Sequence, residues 1–150
     1  MAYVYRIDGE FGYIFAKWRG VVTLADNEAF FHDVEGAPDF RSGLNRLHDF
    51  RDARFTYSAA EVRNVIRDDT SAGENHGFRK VAMLVSSDLG FGIARMYQTL
   101  SNDPNQEFWP FRDLQAALTW LDLPPGLGDP FDRLDQFQCS ADKARSGRFA

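Results

Sequence analysis

Val81-Ala82-Met83-Leu84-Val85 is an uninterrupted apolar run, with Arg79-Lys80 before it and Ser86-Ser87-Asp88 after it. A strand with one wet face alternates apolar and polar residues, whereas a strand covered on both faces does not. Double coverage is the mark of a parallel strand in an α/β sheet. The run is therefore expected at the centre of such a sheet.

Downstream, Ser87 stands where a helix cap belongs, and Ile93, Met96, Tyr97 and Leu100 give the buried side of the helix it opens, with Gly92 allowing close approach to the sheet. Asn102-Asp103-Pro104-Asn105 ends that helix, and Glu107 to Phe111 supplies another short strand. Leu114, Ala117, Leu118 and Leu121 then recur at the i, i+3, i+4, i+7 spacing of an amphipathic helix.

Upstream, Thr70 to Gly77 is small and polar and reads as a loop. Ser58 and Glu61 form a capping box ahead of Val62, Val65 and Ile66, so a helix is expected to run to about Asp69. Leu44 to Phe50 reads as a strand between Gly43 and Arg51-Asp52. Thr23 and Asp26 repeat the capping spacing before Leu24, Phe30, Phe31 and Val34, a helix ending near Gly36-Ala37-Pro38. Tyr3 to Ile7 and Tyr13 to Trp18, separated by Asp8-Gly9-Glu10, read as two strands joined by a tight turn. The expected fold is α/β, a mixed sheet of about five strands with about four packing helices.

Beyond Leu123 the composition shifts to Pro124-Pro125-Gly126-Leu127-Gly128, so residues 1–123 read as the domain and 124–150 as a C-terminal extension. Asp129, Pro130 and Asp132 can start a short helix carrying Phe131, Leu134 and Phe137 on one side. That apolar side packs either on its own domain or on a second subunit.

With 150 residues, 44% of them apolar and 14 of them Phe, one core suffices. A net charge of −5 with scattered Lys and Arg offers no basic stripe for a nucleic-acid backbone. Cys139, the single cysteine, cannot close an internal disulfide, and Met1 to Asp8 lacks the order of a signal peptide. No apolar run approaches the roughly 18 residues of a transmembrane helix, so a cytoplasmic protein of bacterial type is expected. His32, His48, His76 and Cys139 have no zinc or haem spacing, so neither metal nor cofactor is expected. Neither the esterase nucleophile elbow nor the zinc-protease His-Glu-x-x-His occurs.

Three segments carry a resemblance. They are Gly43-Leu44-Asn45-Arg46-Leu47-His48-Asp49-Phe50-Arg51-Asp52-Ala53, Asp88-Leu89-Gly90-Phe91-Gly92-Ile93-Ala94-Arg95-Met96-Tyr97, and Phe111-Arg112-Asp113-Leu114-Gln115-Ala116-Ala117-Leu118-Thr119-Trp120-Leu121. With the elements between them they resemble the SpoIIAA-like, or STAS/CRAL-TRIO-like, bacterial proteins of unassigned function over about residues 3 to 122. The resemblance implies the mixed sheet and a protein partner. In anti-sigma-factor antagonists of this fold a Ser in an Asp-Ser-Ser-Gly segment is phosphorylated. Tyr57-Ser58-Ala59-Ala60 is the nearest segment here and lacks the Asp, one Ser and the Gly, so only Ser58 carries over as a phosphorylation candidate.

Two further places are ligand-binding candidates. Asp49 and Arg51, with His48 and Asp52, fall at the carboxyl end of the third strand, where open α/β sheets place ligands. Ser86 and Ser87 open a helix whose amides can hold an anion, although Asp88 already occupies that positive end. Strand alternation points His48 and Asp49 to opposite faces, which opposes their acting together as a catalytic pair. The aromatic surplus allows a partly open pocket lined by Phe30, Phe31, Phe91, Met96 and Tyr97, where the resemblance to CRAL-TRIO-like domains implies a lipid or other apolar guest. The expectation is a non-enzymatic regulatory or protein-interaction domain, with carriage of an apolar small molecule as the alternative and self-association open.

Overall fold

The computed structural model describes residues 2–101 and 103–135. Phe137 and Cys139 lie outside them. The chain starts with β1 (Tyr3–Asp8) and β2 (Tyr13–Val22), an antiparallel pair in which Tyr3 stands opposite Trp18 and Asp8 opposite Tyr13. The Asp8 carboxylate accepts from the amides of Glu10 and Phe11 at 3.1 and 3.0 Å, closing the turn. Period-two geometry sends Tyr3, Tyr5 and Ile7 to one face with Trp18, Ala16 and Ile14, and Val4, Arg6 and Asp8 to the other.

The rest alternates: α1 (Leu24–Glu35), β3 (Asn45–Phe55), α2 (Ala59–His76), β4 (Arg79–Leu84), α3 (Asp88–Leu100), β5 (Gln106–Phe111) and α4 (Leu114–Trp120). The five strands lie in chain order, and every pair after the first is parallel. Crossovers advancing in one direction put their helices on one face under the right-handed rule. Phe30 and Val34 of α1 and Ala94 of α3 accordingly share a core with Tyr5, Trp18, Phe50 and Met83. Ala117 and Leu118 of α4 join Phe15, Leu47 and Ala82 on the other face.

The apolar run is covered on both faces, but it is not the centre of the sheet. Strand order equal to chain order gives that place to β3, leaving β4 between β3 and the edge strand β5. Polar Arg46, His48 and Asp49 are nonetheless buried within β3. Both capping boxes form: Thr23 with Asp26, and Ser58 with Glu61. Helix α2 does not stop near Asp69; it continues through the expected Thr70–Gly77 loop to His76. Gly77, at φ +67°, then turns the chain against Gly43, whose amide donates to the His76 carbonyl at 2.6 Å.

The buried side of α3 is rotated from its expected setting. Gly90 and Ala94 face the sheet, Ile93, Met96 and Tyr97 are half-buried, and Leu100 is exposed. Gly90, not Gly92, makes the close approach, since a Cβ there would meet Ser87 Oγ at 2.9 Å and Val85 at 3.6 Å, whereas one at Gly92 would meet nothing.

After a 3-10 turn at Pro125–Leu127, α5 (Asp132–Asp135) brings the chain back across the second face. Phe131 and Leu134 are fully buried there against Val4, Tyr13 and Phe15, so the segment from 124 to 135 completes the domain's own core.

Candidate functional site

On the face covered by α1, α2 and α3, the sheet and helices do not close completely. They leave a cavity of ≈ 80 Å³, enough for several waters or a small organic molecule. Its sheet wall follows from alternation along β3, where Arg46, His48 and Phe50 point to this side. Val81 and Met83 from β4 and Gln106 and Phe108 from β5 extend it. Phe31 of α1, Val62 and Val65 of α2, and Ile93, Ala94 and Tyr97 of α3 form the roof.

Aromatic contacts fix these walls. Trp18 and Phe50 stack with centroids 5.1 Å apart and planes 16° apart, and Phe50 packs on Phe55 at 4.8 Å. Tyr97 meets Phe108 at 4.5 Å. The Trp18 indole N–H donates to His48 Nδ1 at 3.1 Å, which makes Nδ1 the acceptor and puts the neutral ring's proton on Nε2. The Tyr57 hydroxyl donates to the Thr23 carbonyl at 3.1 Å, and burial followed by Asp26 and Glu61 raises its pKa, keeping it a neutral donor.

The polar part of the wall has a fixed architecture. Arg46 is buried, donates to His76 Nδ1 and lies 5.2 Å from the Phe31 ring centre. His76 Nε2 in turn donates to Glu35 Oε1 at 2.9 Å. This chain ties β3 to the last turns of α2 and α1, and it requires a neutral imidazole accepting at Nδ1. Burial first, and the Arg46 guanidinium second, lower the His76 pKa from its usual 6.5; the Glu35 carboxylate opposes them. The unfolded chain therefore binds a proton that the folded one resists, so the His76 contribution is complete above 6.5 and is lost as pH falls below it. The melting temperature is expected to fall between neutral pH and mildly acidic pH, and to fall less in His76→Gln. Equal falls in the two proteins, measured by calorimetry, would contradict this.

Asp49 and Arg51 come together, but on the opposite face from the cavity. The Asp49 carboxylate, 1% exposed, accepts from Arg51 Nε and a terminal nitrogen, both at 2.9 Å. Arg51 also reaches Asp129 at 3.7 Å, fastening the C-terminal segment, and its carbonyl accepts from Ser86 Oγ at 2.8 Å. His48 and Asp49 do face opposite ways. Ser87 spends its hydroxyl on the α3 cap, accepting from the Gly90 amide at 2.9 Å.

Of the expected pocket residues, Phe31 and Tyr97 line the cavity. Phe30 is packed out of reach among Tyr3, Tyr5 and Trp18, and Phe91 lies beneath Arg112 at 4.6 Å. Met96 stands outside the wall. Trp18, Phe50, Val62, Val65 and Phe108 also line the cavity and were not among the expected residues. Period-two reading of β3 and period-3.6 reading of α2 carry the signal for Phe50, Val62 and Val65. Ser58 is exposed at the start of α2 and is occupied as a cap.

Among the described residues, no helix is long and apolar enough to cross a membrane, and no three His, Cys, Asp or Glu side chains are grouped to hold a metal ion. Strand order, the antiparallel first pair and the distribution of helices define an α/β protein of the SpoIIAA-like fold. Among solved structures the chain is similar to an uncharacterized protein from the DUF3478 family with a SpoIIAA-like fold, from Shewanella loihica PV-4. Identity is 22% over 73% of this chain and 83% of that one, with a TM-score of 0.51. No family model matches the chain, and no curated protein matches it.

Proposed function

We propose that this domain binds a small apolar molecule in the cavity beneath α1, α2 and α3, as a carrier or sensor and without transforming it. The supporting observation is the cavity itself, walled by Trp18, Phe31, Phe50, Phe55, Tyr97 and Phe108. Apolar pockets with a few placed polar groups are the usual form of a small-molecule site. Binding without chemistry fits the separation of the ionisable groups, since His48 and Asp49 lie on opposite sides of the sheet.

Protein purified from its source cells and extracted with organic solvent is expected to release one small apolar compound in near-stoichiometric amount. Val65→Trp, which fills the cavity from α2, is expected to release none while keeping the circular dichroism of the parent. A wild-type extract indistinguishable from that of Val65→Trp would contradict the reading.

A regulatory, partner-binding reading keeps one observation of its own. Ser58 and Leu89, the latter 67% exposed, begin the helices that follow β3 and β4 at the same end of the sheet. Loss of a partner in Ser58→Asp protein, with the cavity still loaded, would favour that reading.

A further inference from the structure

On the other face of the sheet, a cleft of ≈ 380 Å³ opens between β1, the β1–β2 turn and the segment that leads into α5. Arg6 and Asp8 line it from β1, and Asp129 and Asp132 from the C-terminal side. Phe11, 42% exposed, joins Leu127 and Pro130 in giving it apolar surface.

Arg6 is the unusual member. Its side chain is only 15% exposed, and its guanidinium lies over the Phe15 ring, 5.1 Å from the centroid. The Asp8 carboxylate stands 3.6 Å from a terminal nitrogen, an ion pair too long to be a hydrogen bond. Among the described residues the Arg6 guanidinium has no hydrogen-bond partner, and its Nε is buried in that state. Buried donors are nearly always paired, so an orphan beside an open cleft points to an acceptor that comes from outside.

The carboxylates around it differ in how far they are engaged. Asp8 accepts from the amides of Glu10 and Phe11, and Asp129 accepts from the Phe131 amide and meets Arg51. Asp132 is exposed, and its side chain is unpaired among the described residues. An anion entering the cleft would bring its charge up to three carboxylates, and a cation would meet Arg6. An uncharged guest would leave the guanidinium without a countercharge. A zwitterion satisfies both ends.

We propose that this cleft binds a free α-amino acid with an apolar side chain, independently of the cavity beneath α1, α2 and α3. The carboxylate of the guest takes two parallel N–H groups of the planar Arg6 fork, which the Phe15 ring holds in place. Its ammonium turns to Asp132, and its side chain covers Phe11, Leu127 and Pro130. The volume falls within the range of small-molecule sites.

Three probes test this on the full chain by calorimetry at neutral pH: L-phenylalanine, 3-phenylpropionate, which lacks the ammonium, and 2-phenylethylamine, which lacks the carboxylate. L-Phenylalanine is expected to bind about threefold tighter than 3-phenylpropionate, the scale of an exposed ion pair. Over 2-phenylethylamine the expected advantage is about tenfold, the scale of a charge-assisted hydrogen bond. Asp132→Asn is expected to erase the first preference and Arg6→Met the second, while Val65→Trp changes neither. Should Arg6→Met fail to fold, the wild-type ranking and the exposed Asp132→Asn variant decide the matter. Absence of L-phenylalanine binding, equal affinities for the three probes, or a ranking that Asp132→Asn does not alter overturns the proposal and leaves the apolar-cavity reading standing. Loss of L-phenylalanine binding in Val65→Trp would put that guest in the cavity instead and overturn it as well.

Discussion

Phe131→Ala is expected to destabilise the domain by about 3–5 kcal/mol, as large-to-small changes at filled aromatic sites do. Phe131 comes from the segment that looks least like core, seven residues after Pro124. It is nevertheless 1% exposed and stands edge-on to Phe15 of β2, with centroids 6.3 Å apart and planes at 88°. Asp129 prepares this placement by accepting from the Phe131 amide at 2.8 Å and meeting Arg51. Removing the ring leaves a hole between Phe15 and Leu134, which such a short helix cannot close by moving as a unit. Urea unfolding checks the figure. If residues 124–135 were a dispensable extension, the change would stay within about 0.5 kcal/mol, as at ordinary surface positions.

Asp103→Ala is the second large effect, with about 3–5 kcal/mol expected. Arg79, at the start of β4, is fully buried, and its guanidinium donates to Asp103 at 3.1 Å and to the Gly77 carbonyl at 3.1 Å. Asp103 also accepts from the Asn105 amide at 2.9 Å, shaping the turn into β5. A desolvated ion pair adds little compared with an apolar pair, but deleting one member leaves the other charge in a place that cannot solvate it. Asp103→Asn retains an acceptor and is expected to lose less. Equal, small losses in both variants by chemical denaturation would show that water reaches this corner freely.

The periodic elements were readable because their signals are local. The stripe Leu114, Ala117, Leu118, Leu121 and both capping boxes concern residues within two turns of one another, and all appear as read. The length of β3 suited a central strand, but the apolar run of β4 drew the centre to itself; Arg46, His48 and Asp49 of β3 are each buried with partners that come from elsewhere in the chain or, for Asp49, from Arg51 two residues on. The extent of α2 was obscured by Thr70, Ser71 and Gly73, weak helix formers that tertiary context overrides. On α3 the bulky residues suggested the buried side, whereas the small Gly90 and Ala94 let the backbone approach the sheet.

The cavity was legible only in part, because no local pattern specifies it. Its wall draws on β2, β3, β4, β5 and three helices, and a void arises where their side chains fail to meet. Of the aromatics expected to line a pocket, Phe31 and Tyr97 do line the cavity. The tertiary register decided that Trp18 and Phe50, rather than Phe91 and Met96, would form the wall.

The most direct measurement is a two-dimensional nitrogen–proton NMR titration of the full chain with 1-hexanol, a neutral, largely apolar probe. The account predicts shifts confined to the Trp18 indole N–H and the amides of Phe31, Phe50, Val62, Val65, Met83 and Phe108, saturating at a common concentration. Shifts centred instead on Leu89 and the exposed end of the sheet, or a Trp18 signal that never moves, would contradict it.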